Sequence, residues 1–296
     1  MNMVVPNTAY PASHIKRRRS TKDEVTQRRL ALALIVKAGK PMTVRQVYYQ
    51  ATVKGLVEKT ESGYAMVQTD LAIWRRLGII PYDWLADNTR WQRKPTTFTN
   101  VETALRDAAH FYRKDLWADA DCYVEIWLEK DALAGVIAPI TNAYDVPLMV
   151  ARGYASLSFL HSAAEAISRV GVPTYIYHFG DFDPSGVNAA EKIEEAIREM
   201  APAAAVHFER VAITEHQIRS LDLPSRPTKK TDSRAKNFGD ISVELDAMEP
   251  GMLRAMVESV INRHLPKEVY SELLIAEEDD RARISELVDY VIGGDR

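Results

Sequence analysis

Cysteine is nearly missing from this chain: Cys122 is the single one in 296 residues. A disulfide framework and a cysteine zinc site are both excluded by that count, and a reducing cytoplasmic compartment is the default expectation. No apolar run approaches the ~18 residues of a membrane span, so no membrane partner is expected. The N-terminus carries no apolar stretch of the secretory kind. Internal repeats and long low-complexity segments are missing as well. Net charge is only −3, yet it is unevenly spread. Residues 1–95 hold 17 Lys+Arg against 7 Asp+Glu, a balance of +10, and the remainder holds 21 against 34, a balance of −13. A basic first third suits a polyanion such as nucleic acid. An acidic remainder suits a carboxylate metal site or plain solubility.

Residues 1–20 lack periodicity and contain "KRRRS", which reads as a basic disordered arm. Residues 21–97 read as three helices and a small basic wing, a winged helix-turn-helix. The first helix places Leu32, Ile35 and Val36 together. "GKPMT" then breaks the chain, and Thr43 can cap a second helix. That helix buries Val44, Val47, Tyr48 and Ala51, and a third buries Tyr64, Val67, Leu71 and Trp74. "IIPYDWLADNTRWQRKP" reads as short extended pieces. Residues 98–118 form a connecting helix with Val101, Leu105, Ala108 and Tyr112 inward.

From residue 119 to 215 the pattern alternates. "CYVEIWL", "VPLMVA", "PTYIYHFG" and "AVHFERVAI" read as strands, with helices between them. Strands alternating with helices imply right-handed βαβ units around a parallel sheet, so the fold class is α/β. Residues 216–296 form a largely helical C-terminal extension, with helices near 250–263 and 266–292.

In open parallel sheets, ligands sit at the carboxyl ends of strands. The third strand ends in "DFDPSG" and the first in "LEKDA". If the backbone stays extended, Asp181 and Asp183 point to one side, and Glu129 sits at the same end of the sheet. Three carboxylates converging there would repel unless a cation joined them. Hard oxygen donors favour Mg²⁺ or Mn²⁺. The plainer alternative is that an Asp at a strand end is a turn or cap residue, and the Asn188…Glu191 spacing fits a capped helix after it.

This constellation resembles the Toprim domain of topoisomerases, primases and related nucleases. The closer resemblance is to the A subunit of topoisomerase VI and its meiotic double-strand-break relative, whose motifs read like V-E-K-D-A and D-x-D-P-x-G. A further segment, "RGYASLSFL", is loosely similar to a G-Y-P-D-x-x-T-R motif but lacks its proline and arginine, so no role is carried over. The family also has a nucleophilic tyrosine in R-[D/E]-[I/L]-[Y/F]-Y. Here "VRQVYYQ" places Arg45, Tyr48 and Tyr49 in register, with Gln46 in place of the acidic residue. Periodicity separates the two tyrosines: Tyr48 falls on the buried face, and Tyr49, ~100° around the helix, falls on an exposed face with Arg45. Tyr49 is the nucleophile candidate, and the alternative is a ring that rims the core.

The resemblance implies a transesterase that cleaves duplex DNA through a 5′-phosphotyrosyl link. Tyr49 would attack and Arg45 would stabilise charge. Glu129, Asp181 and Asp183 would hold Mg²⁺, or Mn²⁺. Arg75, Arg76, Arg90, Arg93 and Lys94 would contact DNA phosphates. It implies a homodimer associated with the nucleoid. No G-x-x-x-x-G-K-[ST] loop is present, so any ATPase B-type subunit would be a separate partner, unless the chain resembles the short stand-alone bacterial and mobile-element forms. The alternatives are a Toprim nuclease using water and a non-catalytic DNA-binding scaffold or regulator. Glu244 and Asp246, in "SVELDAMEP", read as a solvated helix cap, with carboxylates behind the metal ligands as the alternative.

The charge distribution generates a prediction. Affinity for duplex DNA, followed by fluorescence anisotropy, should fall steeply between ~50 and ~200 mM salt as counterion release loses its driving force. A nearly flat salt profile would remove phosphate contact as the source of affinity.

Overall fold

A computed structural model of the chain describes residues 20–86, 95–228 and 238–293. The basic arm up to residue 19, the expected wing residues Arg90, Arg93 and Lys94, and most of the basic loop after Thr228 lie outside the described residues. The chain is mixed α/β, with a four-stranded parallel sheet and many helices.

Three helices come first: α1 Lys22–Gly39, α2 Val44–Val53 and α3 Glu61–Arg76. Each starts where a threonine can satisfy free N–H groups. Thr21 with Glu24 and Thr43 with Gln46 form reciprocal capping boxes, and Thr60 caps α3. Leu32 and Val36 of α1, Val47 and Ala51 of α2, and Val67 and Leu71 of α3 meet in one core. The extended pieces expected after α3 are not strands among the described residues. The chain makes a turn, a 3₁₀ turn at Tyr82–Trp84, and one bridge from Leu85 back to Met42.

The sheet consists of β1 Tyr123–Leu128, β2 Leu148–Val150, β3 Thr174–Phe179 and β4 Val206–Ala212, in the order β2-β1-β3-β4, all parallel. Its two central strands, β1 and β3, are buried almost throughout because both faces are covered, whereas edge strand β4 exposes His207 and Glu209. On one face, Val124, Ile126, Leu128, Tyr177 and Phe179 pack against α5 Ala134–Ala143 and α9 Pro250–Ile261. On the other, Trp127 and Ile176 pack against α6 Leu157–Val170 and α7 Pro184–Met200. Trp127 is fully buried, and its indole N–H donates to Glu125 at 2.7 Å. Gly171, at φ 73°, ends α6 in the left-handed conformation.

The connecting segment forms α4 Val101–His110, shorter than expected, and its inward face is corrected. Val101 is 74% exposed and Ala108 is exposed, while Leu105 and Tyr112 are half-buried. The reason is its partner. α4 lies antiparallel to the 27-residue helix α10, Lys267–Gly293, and the pair is joined largely by polar contacts. Arg106 bonds Asp289 at 2.8 Å, Tyr112 donates to Asp280 at 3.3 Å, and Arg113 meets Glu277 at 3.2 Å. Between α7 and α9, α8 Glu215–Ser220 follows β4, and short strands β5 Arg226–Pro227 and β6 Ile241–Ser242 pair antiparallel. The helical bundle and one face of the sheet share a continuous core through Leu245, Ala247 and Met248. The C-terminal third is therefore built into both. No described helix is long and apolar enough to cross a membrane.

Truncating Trp127 to alanine should cost about 3–5 kcal/mol, because the cavity lies between sheet and helices. Val101→Ala should stay within about 0.5 kcal/mol. Urea unfolding of both variants checks this, and similar losses would refute the assigned burial.

Candidate active site

The carboxyl end of the sheet is where the motifs meet. The chain leaves β3 at Phe179, and α7 begins at Pro184. A helix starting so soon needs an acceptor for its free N–H groups, and Asp183 supplies it. Its Oδ1 accepts from Gly186 N at 2.8 Å, with Pro184 in the first turn. Two expectations are corrected by this. The cap is Asp183, not Asn188, whose side chain instead accepts from the Tyr154 hydroxyl at 2.8 Å. Asp181 and Asp183 also serve separate partners. Asp181 Oδ1 accepts from Leu245 N at 2.8 Å, and its Oδ2 lies 3.0 Å from Lys130 Nζ.

Glu129 ends β1, the strand beside β3. Its N–H donates to Phe179 O at 2.9 Å, and its Oε2 accepts from Asp181 N at 2.8 Å. Two glycines give that carboxylate its room. A Cβ on Gly180 would lie 2.6 Å from Glu129 Oε2, and one on Gly186 would lie 2.9 Å from it. Neither position tolerates a side chain without displacing Glu129. Arg210 of β4 closes the loop from behind, donating to Gly180 O at 3.2 Å and Gly186 O at 3.3 Å.

Lys130 is the hub. Its ammonium lies 2.9 Å from Asp246 Oδ2, 3.0 Å from Asp181 Oδ2 and 3.4 Å from Glu244 Oε2. Burial alone would lower its pKa, but Asp246, Asp181 and Glu244 outweigh burial and raise it. Glu244 and Asp246 are thus not a solvated cap. Both are buried, because the segment after β6 is drawn onto the loop after β3: Val243 and Phe182 exchange backbone hydrogen bonds at 2.8 and 2.9 Å. The cap of α9 is Glu249, which accepts from Gly251 and Met252.

Helix α2 packs onto this cluster. Thr43 Oγ1 donates to Asp246 Oδ1 at 3.0 Å, and Arg45 Nη1 lies 2.8 Å from Glu244 Oε2. Arg226 of β5 bridges Asp183 at 3.4 Å and Glu244 at 3.5 Å. Tyr48 is buried as its phase predicts and turns to α3, donating to Thr60 O at 3.2 Å, with its ring 5.3 Å from that of Tyr64. Tyr49 shares its electrostatic environment with Glu244, Arg45 and Lys130. Its expected exposure is corrected. Tyr49 is 6% exposed, and the 3₁₀ turn at Leu245–Ala247 packs against its helix. Burial, then the charge of Glu244, push its hydroxyl up to about 12. The Lys59 ammonium lies 5.7 Å from the centre of its ring.

Between bundle and sheet runs a cleft of about 680 Å³, lined among others by Arg45, Tyr64, Arg75, Lys130, Asp181 and Glu244. Arg75 lines this cleft while donating to Tyr82 O at 3.1 Å, and Arg76 is exposed at the end of α3. Sequence reasoning missed Lys130, Arg210, Arg226 and the central place of Glu244. Lys130 alone left a signal, as the residue after Glu129 in "LEKDA".

The expected three-carboxylate convergence is not present as such. Among the described residues, no group of three or more His, Cys, Asp or Glu side chains is arranged to hold a metal ion. Glu129 and Asp181 remain as a pair. Burial, then the charge of Asp181, push Glu129 up to about 7, and burial also raises Asp181. Two buried carboxylates that resist ionisation together are donors a hard cation would relieve. Magnesium is commonly held by one or two carboxylates with water and phosphate completing its shell, so the pair fits it.

No protein-family model matches the chain, and no curated protein is similar enough to serve as a relative.

Beside Glu129 sits His178, 1% exposed, with no hydrogen-bond partner at either ring nitrogen among the described residues. Burial, then Arg210, hold its pKa down from 6.5 to about 3. The unfolded chain takes up that proton first as pH falls. Stability should therefore be intact above pH 6.5 and drop below it, by about 1.4 kcal/mol per pH unit until the folded pKa is reached. Urea midpoints at pH 7 and pH 5 should differ less for His178→Leu than for the wild type. An equal loss in both would place the acid sensitivity elsewhere.

Proposed function

We propose that this chain is a DNA-cleaving transesterase of the topoisomerase VI A-subunit type, with α1–α3 as a winged-helix module and the sheet as a Toprim module. One observation carries the reading: α2, with its Arg–x–x–Tyr–Tyr segment, packs on the Leu245–Ala247 turn beside the carboxyl end of the parallel sheet, so Arg45 shares a cleft with Lys130 and Asp181.

The chemistry follows from that placement. The Tyr49 oxygen attacks a backbone phosphorus, a Tyr–O–P bond forms at the 5′ side, and the bond to the 3′ oxygen breaks. The 3′ oxygen leaves as a hydroxyl, and the phenol proton balances it. A phenol held near 12 in the free protein attacks only once its environment changes, and a guanidinium at i−4 favours the phenolate and the phosphorane-like charge. Arg45 supplies that group. Glu129 and Asp181 would hold Mg²⁺ or Mn²⁺, which supplies neutralisation of phosphate oxygens when bound. Asp183 keeps the loop between them closed by capping α7. Arg75 and Arg76 guide duplex DNA into the cleft through phosphate contacts. A homodimer, and a separate ATPase partner if strands are passed, belong to the same proposal, as does a cytoplasmic, nucleoid-bound location.

A second reading rests on the burial of Tyr49. If that ring stays in the core, water attacks instead and the chain is a metal-dependent nuclease.

Protein, supercoiled plasmid and Mg²⁺ on a denaturing gel separate the two. Wild type and Tyr48→Phe should give protein linked to 5′ ends, Tyr49→Phe should give none, and EDTA should suppress all cutting. Undiminished cutting by Tyr49→Phe would select the nuclease. Loss of the adduct in Tyr48→Phe alone would exchange the roles of the two tyrosines.

A further inference from the structure

We propose that Arg45, Lys130 and Arg226 form a site for one DNA backbone phosphate, and that Glu244 keeps this site closed as a built-in substitute for phosphate until DNA displaces it. The proposal rests on reading the cleft as a DNA-cleavage site. The three cations come from three separate segments, α2, the turn after β1, and β5, and all converge on one carboxylate. Arg45 and Lys130 take Oε2 at 2.8 and 3.4 Å, and Arg226 takes Oε1 at 3.5 Å. A phosphodiester, like a carboxylate, presents two oxygens that share one negative charge, and guanidinium groups bind either anion through paired N–H donors.

The cations do not depend equally on Glu244. Lys130 keeps Asp181 and Asp246 without it, and Arg226 keeps Asp183. Those two stay in position when Glu244 turns away, and Arg45 is released to bind. The site is therefore preorganised behind its occupant. Access runs from the open side. The Arg45 side chain is 44% exposed and that of Glu244 only 9%, and both line the 680 Å³ cleft. A phosphate entering past Arg45 meets the carboxylate at the cleft wall and competes for the same donors.

The test measures anisotropy of a short labelled duplex at several salt concentrations in EDTA, with wild type, Glu244→Gln and the exposed-charge control Glu215→Gln. Glu244→Gln should bind about ten-fold tighter than wild type and with a steeper salt slope, because freed cations engage phosphate. The control should match wild type. Equal or weaker binding by Glu244→Gln, with wild type binding, overturns the closure and leaves the cleavage reading standing. The gain should vanish in Arg45→Gln/Glu244→Gln, and its persistence there overturns the site. If no form binds duplex, the DNA reading fails, and inorganic phosphate decides alone. Phosphate raising the Tm of Glu244→Gln but not of wild type supports a phosphate site closed by Glu244, and no selective rise overturns it. Should Glu244→Gln not fold, Glu244→Asp carries the same comparisons, since it withdraws the carboxylate by one methylene.

Discussion

One ammonium group organises this molecule. The Lys130 side chain is only 23% exposed, and three carboxylates, Asp181, Glu244 and Asp246, stand within 3.4 Å of it. Each of these charges would be costly to bury alone, and together they become tolerable. The carboxylates belong to distant stretches of chain, so satisfying Lys130 fixes where those stretches go. Asp181 locks the loop after β3. Asp246 reaches past Lys130 to Thr43 and so sets the start of α2. Glu244 turns toward Arg45 and Arg226. A neutral residue at position 130 would leave three buried negative charges without their shared partner.

This electrostatic economy also shapes the cleft. Acids and bases alternate there, so the surface offered to a polyanion is not simply basic. Positive charge comes from the arginines at the rim, and the floor is balanced. Such a floor discriminates: a ligand has to exchange ions with the cluster, not merely approach it. The glycines at 180 and 186 belong to the same design, because they let Glu129 approach the backbone of the Asp181 loop closely enough to accept its N–H.

Much of the sheet was legible from the sequence, because a strand covered on both faces must be apolar almost throughout, as in "YVEIWL". The helix starts were legible where a threonine preceded an apolar period, as at Thr43 and Thr60. The phase of α2 put Tyr48 on the buried face, but its contrast with an exposed Tyr49 failed, since the two are 8% and 6% exposed. Burial of Tyr49 was not legible, since the turn that packs against its helix lies nearly 200 residues later. Glu244 and Asp246 looked like solvated acids for the same reason: their partners are 114 and 116 residues away at Lys130 and 203 away at Thr43. The face of α4 was misread because its partner, α10, receives it with charged side chains as much as with apolar ones. At Asp183 the simpler alternative held, and the residue is a helix cap.

The separation between Thr43 and Asp246 has a bearing on how the protein comes into being. Chains emerge from the ribosome N-terminus first. The tyrosine-bearing helix is therefore made early, with one face uncovered, and waits for most of the remaining chain before the turn at Leu245–Ala247 can seat against it. Until then Lys130 has Asp181 at most, and the cleft has only one wall. Whatever chemistry the cleft performs is thus withheld from the nascent protein and becomes available only when the last wall closes, so a ribosome that stalls midway leaves a fragment without a complete cleft.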